Sequence, residues 1–274
     1  MELILSVIQR AEFGGESSDT GFDAKVATTA KNVSGSVAVL PLMGTVCNRI
    51  GSMDEASGGV STERFGQMFD EAMANDKIGA IVIDVNSPGG SVFGVTELSQ
   101  KIFDARGQKP VVAVANSLMA SAAFWIGSAA DEIVATPSAE VGSVGVIAVH
   151  IDQEKALENN GLKATVVKSS KFKGEANSFE SLSDEAHAQL QSQVDKIDDM
   201  FVADLARNRG VTAAEVRGGF GQGRTMLATE AMAAGLVDRI ATMEQVIARL
   251  QGSSDANSRS RRRRHATHLQ LTKP

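Results

Sequence analysis

Cysteine occurs once in the 274 residues, at Cys47. A single thiol cannot build an internal disulfide framework, and it fits a reducing compartment. The four histidines (His150, His187, His265 and His268) are scattered, and none stands with cysteine at zinc-site spacing. No metal or cofactor is therefore expected. Phosphate loops are also missing, since neither G-x-G-x-x-G nor G-x-x-x-x-G-K-[ST] occurs. Long apolar runs are absent as well. The opening MELILSVIQRAEF is interrupted at Glu2 and Arg10, and nothing later reaches about 18 uncharged apolar residues. A soluble, cytoplasmic protein is expected, neither secreted nor membrane-anchored.

What the chain has is an ordinary globular composition, 43% hydrophobic and 22% charged, enough apolar residues for a sizeable core. Charge is unevenly spread. The net charge is −6, yet residues 251–274 hold five Arg and Lys273 against Asp255, leaving −11 on residues 1–250. An acidic body with a basic end does not match a nucleic-acid-binding domain, so weak contact through the arginines is the most that is expected.

Residues 1–34 end in a stretch rich in Gly, Ser, Thr and Asp and read as a flexible arm. From residue 35 the pattern tightens. SVAVLPLMG (36–44) is a strand candidate, and TERFGQMFDEAMAN places Phe65, Met68, Phe69, Ala72 and Met73 on one helical face, with Ser61 or Thr62 as N-cap. IGAIVIDV (78–85) reads as a strand buried on both faces. A helix carrying Val92, Val95, Leu98 and Ile102 follows, then PVVAVA (110–115) as a strand. A small-residue helix from Ser121 leads to the strand DEIVAT (131–136). EVGSVGVIAVHI (140–151), KATVVK (163–168) and LVDRI (236–240) are further strand candidates. The longest helix has the stripe Leu190, Val194, Ile197, Phe201, Leu205 and stops at Gly210. The alternation of strands and helices predicts an α/β fold with both sheet faces covered, in one domain over 35–250.

Two places can carry chemistry. NSPGG (86–90) follows a strand directly, where α/β proteins place ligands. A lone Pro-Gly-Gly is more often a plain turn, but adjacent glycines also let backbone N–H groups approach a substrate and stabilise an oxyanion. Ser121 lies among Ala120, Ala122 and Ala123, small neighbours that leave its hydroxyl approachable, and the N–H of Ala122 lies beside it. The alternative is a simple N-cap. A serine nucleophile needs a base. His150 and His187 come with no recognisable orienting acid, whereas KSSKFKGEANSF (168–179), between a strand candidate and a helix, offers Lys168, Lys171 and Lys173. A lysine serves as base when desolvation lowers its pKa; otherwise these three form a solvated basic loop.

NSPGG (86–90), MASAAFWIGSAADEIVA (119–135), VGSVGVI (141–147), KSSKFKGEAN (168–177) and GRTMLATEAMAAGLVDRI (223–240) together resemble the signal peptide peptidase A family of serine peptidases. The resemblance spans about residues 35–245 in order and spacing, and within the family it points to the soluble head-maturation (capsid assembly) proteases of tailed phages. It implies a ClpP/crotonase-like fold of repeated ββα units and a Ser–Lys dyad, with Ser121 as nucleophile and Lys173 as general base. It also implies an oxyanion hole from the glycine pair, Gly90 before Gly89, completed by the N–H of Ala122, and a lysine-orienting role for Ser143. The chain departs from its relatives at Phe172, at Gly174-Glu175 and at the two alanines after Ser121.

The activity implied is serine endopeptidase action on polypeptides, with capsid, portal and scaffold proteins as substrates during head maturation, in the host cytoplasm or the procapsid. Two alternatives stay open: a bacterial cytoplasmic protease of the same type, and a scaffolding relative with little catalysis. The resemblance further implies a homo-oligomer. Residues 251–274, with five arginines within 259–264, are expected to be a disordered tail.

Overall fold

The protein is described by a computed structural model covering residues 36–49 and 58–252. The expected N-terminal arm and almost all of the expected Arg-rich tail lie outside the described residues. Among the described residues, eight strands form one mixed sheet. They are β1 (Ser36–Cys47), β2 (Gly59–Ser61), β3 (Ile78–Gly90), β4 (Val111–Ala120), β5 (Glu132–Ala135), β6 (Glu140–Gly142), β7 (Thr225–Leu227) and β8 (Arg239–Ile240). The main order is β2-β1-β3-β4-β5-β8, all parallel, with β6 alongside β4 and β7 antiparallel to β6. The helices are α1 (Thr62–Ala74), α2 (Val95–Asp104), α3 (Ala122–Gly127), α4 (Glu154–Asn159), α5 (Asp184–Arg209), α6 (Ala213–Gly219) and α7 (Ala228–Ala233). A last helix runs over residues 243–252.

Period-two alternation sends β3 side chains to both faces. Ile81, Ile83 and Val85 enter the larger core with Phe65, Phe69, Ile102, Trp125 and Phe201. Ala80 and Val82 turn the other way and meet Val112, Val114 and Val134 beneath Val246 and Leu250 of the last helix. That second face is covered only in part: Val39 and Met43 of β1 are 38% and 45% exposed.

Ser61 caps α1, its hydroxyl accepting the N–H of Arg64. Helix α5 is capped by Ser183, opens on Asp184 and Glu185, closes on Arg207 and Arg209, and stops at Gly210 in the left-handed region. Arg106 donates to the carbonyls of Ser128, Ala129, Ala130 and Asn208. One guanidinium thus gathers orphan carbonyls at the ends of two helices, holding α3 against α5.

Four expectations need correction. NSPGG is not a turn after the strand, because β3 runs through Gly90 in register with Val46. The strand expected over 140–151 ends at Gly142, and KATVVK (163–168) forms none. Of LVDRI, only Arg239–Ile240 is strand, while Leu236 and Val237 pack in the core. The two missing strands, over 143–151 and 163–168, share a cause. β-branched residues favour a pleated, half-buried surface rather than an extended backbone as such, and Ile147, Val149 and Val167 have no such surface, being 78%, 71% and 91% exposed.

Candidate active site

The parallel register carries the C-terminal ends of β3 and β4 to the same edge, with Ser87 opposite Met119. Gly89 then lies against the start of α3. A Cβ built there would stand 2.6 Å from Ser121 Cβ and 2.9 Å from the Ala122 nitrogen, distances no side chain tolerates. At Gly90 it would stand 2.2 Å from the Val46 carbonyl oxygen. The first glycine makes room for Ser121 and the second for β1.

Ser121 joins β4 to α3 at φ 52°, ψ −125°, a sparsely populated conformation for a residue with a side chain. Its backbone is pinned on both sides: the N–H donates to Gly142 O at 2.9 Å, and the carbonyl accepts from Trp125 N–H at 2.9 Å. The hydroxyl makes no capping bond although the residue occupies the N-cap position. The capping alternative therefore does not account for this serine. The alanines behind it are buried, Ala122 at 3% and Ala123 at 0% exposure, because α3 packs inside the core.

Ser143 follows Gly142 directly, at φ 56°, and its N–H donates to Arg224 O at 2.8 Å. Ser121, Ala122, Gly89 and Ser143 thus belong to one neighbourhood, tied together through Gly142. Lys173 makes no hydrogen bond to any of them. Its side chain is exposed in a turn closed by its own N–H on Ser170 O, and no hydrogen bond joins it to Ser121. Of the three lysines, Lys168 pairs with Glu180 at 2.5 Å and Lys171 with Glu185 at 2.7 Å. Lys173 has no carboxylate partner among the described residues. Neither histidine of the body serves the serine: His150 Nε2 meets Asn177 O at 3.0 Å, and His187 is exposed on α5.

Sequence reasoning passed over Ser87. It is fully buried, donates to Gly44 O at 2.6 Å and accepts the N–H of Gly89 at 3.1 Å. Its only outward sign is its place at the head of Ser-Pro-Gly-Gly. Also unread was a cleft of about 570 Å³ that begins two residues beyond Gly90. Val92, Phe93, Ile197 and Met200 are among its apolar walls, and Trp125, Asp204 and Arg207 also line it. Among the described residues, no group of His, Cys, Asp and Glu is arranged to hold a metal, and no helix is long and apolar enough to cross a membrane.

A serine in a strained strand-to-helix turn, facing a glycine pair on the neighbouring strand, is a site suited to acyl transfer. The model of peptidase family S49 matches residues 104–257, more than half of the chain, and the chain belongs to that family. It is 29% identical to the head-tail preconnector protein GP5 of Enterobacteria phage P21, across 81% of this chain and 44% of that protein. It is 29% identical to the capsid assembly protease C of Escherichia phage lambda, across 80% and 50%. Protease 4 of Haemophilus influenzae is 28% identical across 79% of this chain and 34% of its own length. The chain thus spans about half the length of the phage relatives, or less. Among solved structures, the 1510-N membrane-bound stomatin-specific protease, in a mutant form, matches with a TM-score of 0.47 and 16% identity, over 78% of this chain and 84% of that one.

Proposed function

We propose that the protein is a serine endopeptidase of phage head maturation that works through Ser121 and Lys173 on a ClpP/crotonase-like scaffold of ββα units. Ser121 Oγ attacks a peptide carbonyl as Lys173 Nζ takes its proton and passes it to the leaving amine. Water then hydrolyses the acyl-enzyme by the same route. The N–H groups of Gly90 and Ala122 hold the oxyanion, Gly89 leaves the space in which it forms, and Ser143 orients the lysine. Supporting Gly90 over Gly89, the N–H of Gly89 is already given to Ser87. The observation that carries the reading is Ser121 itself, strained, backbone-pinned and with a hydroxyl that caps nothing.

Substrates would be capsid, portal and scaffold polypeptides, a reading supported by the likeness to a phage capsid assembly protease and a phage head-tail preconnector protein. The cleft that begins at Val92 would receive a large apolar substrate side chain, because Val92, Phe93, Ile197 and Met200 are among its walls. Lys173 must still reach a serine. Its segment, residues 147–182, exposes Ile147, Val149, Ile151, Leu162, Val167, Phe172 and Phe179, more apolar surface than a solvated loop keeps bare. The reading therefore includes a homo-oligomer that buries this segment and delivers Lys173 to Ser121.

The test is covalent labelling by a fluorophosphonate, followed by digestion of a scaffold-protein substrate. Wild type should label at Ser121. Ser121→Ala should neither label nor cleave, Lys173→Ala should lose cleavage by at least about 10²-fold, and His150→Ala and His187→Ala should retain it. Full cleavage by Lys173→Ala would remove the lysine from the mechanism.

A further inference from the structure

We propose that Ser87 is a positioning residue that locks the glycine pair into its oxyanion-binding shape, an inference that rests on the serine-peptidase reading of Ser121. A Gly-Gly peptide is the easiest kind to rotate, since neither flanking residue has a Cβ to restrict φ and ψ. Here φ is +92° at Gly89 and +156° at Gly90, so the plane between them is held where most residues do not go. An oxyanion donor must be fixed before the reaction, because a donor that reorients during it loses the benefit of preorganisation. Something has to hold that plane.

On the downstream side the holder is backbone: Ser91 N–H donates to Val46 O at 2.8 Å. Ser91 N–H is thus committed to β1, and in this proposal the N–H of Gly90 is the donor left for the Ser121 side. On the upstream side Pro88 has no N–H to give, and the Ser87 hydroxyl takes over. It accepts the N–H of Gly89 at 3.1 Å and donates its own proton to Gly44 O at 2.6 Å. A hydroxyl is one of the few small groups that can accept and donate at once.

Gly44 is itself tightly packed. It sits at φ +80°, and a Cβ there would fall 1.7 Å from the Gly58 carbonyl oxygen, while Thr45 N–H bonds that same oxygen at 3.1 Å. The relay therefore runs from a packed bend in β1, through Ser87, to the residue packed on Ser121. Ser87 is fully buried, so removing its hydroxyl takes the partner from two polar groups, Gly44 O and Gly89 N–H, at a buried position.

The experiment measures the rate of fluorophosphonate labelling of Ser121 against pH, with thermal melts, for wild type, Ser87→Ala, Ser87→Cys and Ser87→Thr. The alanine variant should lower the plateau rate by about 10²-fold, the scale of a lost oxyanion donor, without moving the midpoint of the pH profile. Threonine, which keeps the hydroxyl, should recover most of the rate; cysteine, a weak donor and acceptor of similar volume, should stay slow. If the alanine variant does not fold, the cysteine variant is read in its place. A wild-type rate in the variant that is read overturns the proposal. So does a loss that merely follows the folded fraction, a shifted pH midpoint, or a folded threonine variant as slow as alanine. Labelling of wild type at Ser121 is the separate control: its absence sinks the peptidase reading, whereas its presence with a fast Ser87→Ala sinks only the relay.

Discussion

Asp84 lies half-buried on β3, three residues before Ser87, with Oδ1 accepting from Asn116 Nδ2 at 3.2 Å. Burial pushes its carboxyl above the usual carboxylate value, and the Asn116 bond only partly opposes this. A raised pKa in the folded state means that the fold favours the protonated acid, so stability falls as pH rises through that value. Asp84→Asn keeps an acceptor for Asn116 and removes the charge. It should melt about 2 °C above wild type at pH 7, and the gap should close as pH drops below about 4. Melting curves between pH 3 and 8 check this, and a lower melting temperature for the variant at neutral pH would contradict the assignment.

Helices α3 and α5 meet through a buried polar joint. The Trp125 ring stacks on Phe201 at 4.4 Å between centroids, and its Nε1–H donates to Asp204 Oδ2 at 2.7 Å. Asp204 Oδ1 in turn faces Arg207 Nη1 at 3.1 Å. Since α3 begins at the residue after Ser121, the joint sets where the serine is presented. Asp204→Ala leaves a buried indole N–H without an acceptor and should lower stability by about 2–3 kcal/mol in urea titration. Asp204→Asn retains an acceptor and should lose less than half of that. The neighbouring cleft tests substrate choice: Phe93→Ser should raise KM for peptides with a large apolar residue at the cut, while KM for alanine peptides stays put. An equal rise for both would show that the cleft does not hold the substrate side chain.

Assembly can be tested on the intact chain. Light scattering at micromolar concentration should give an oligomer. Mixing Ser121→Ala with Lys173→Ala then asks whose lysine serves whose serine: recovered cleavage means that neighbours exchange Lys173, and no recovery with intact oligomers means that each chain completes its own dyad. Removal of residues 253–274, which carry the five arginines, should leave hydrolysis of short peptides intact while lowering incorporation into assembling shells. Val246 and Leu250 fill the second core cluster, so truncation before the last helix should unfold the sheet edge instead. Circular dichroism of the two truncations separates these outcomes.

Local pattern was enough for α1, α5 and the buried strands, because amphipathic spacing, caps such as Ser61 and Ser183, and the stop at Gly210 act within a few residues of themselves. It was also enough to single out Ser121 and the glycine pair, since a small-residue run and a double glycine are visible wherever they lie. The tertiary structure alone decided which glycine faces the serine, that the Ser121 hydroxyl caps nothing, and that Ser87 joins Gly44 to Gly89 across 43 residues of chain. It also decided that 143–151 and 163–168 would not be strands, however β-rich, and that no hydrogen bond joins Lys173 to Ser121. Those outcomes depend on which neighbour the folded chain supplies, and a hydrogen bond or strand ladder needs two partners that no single stretch of sequence contains.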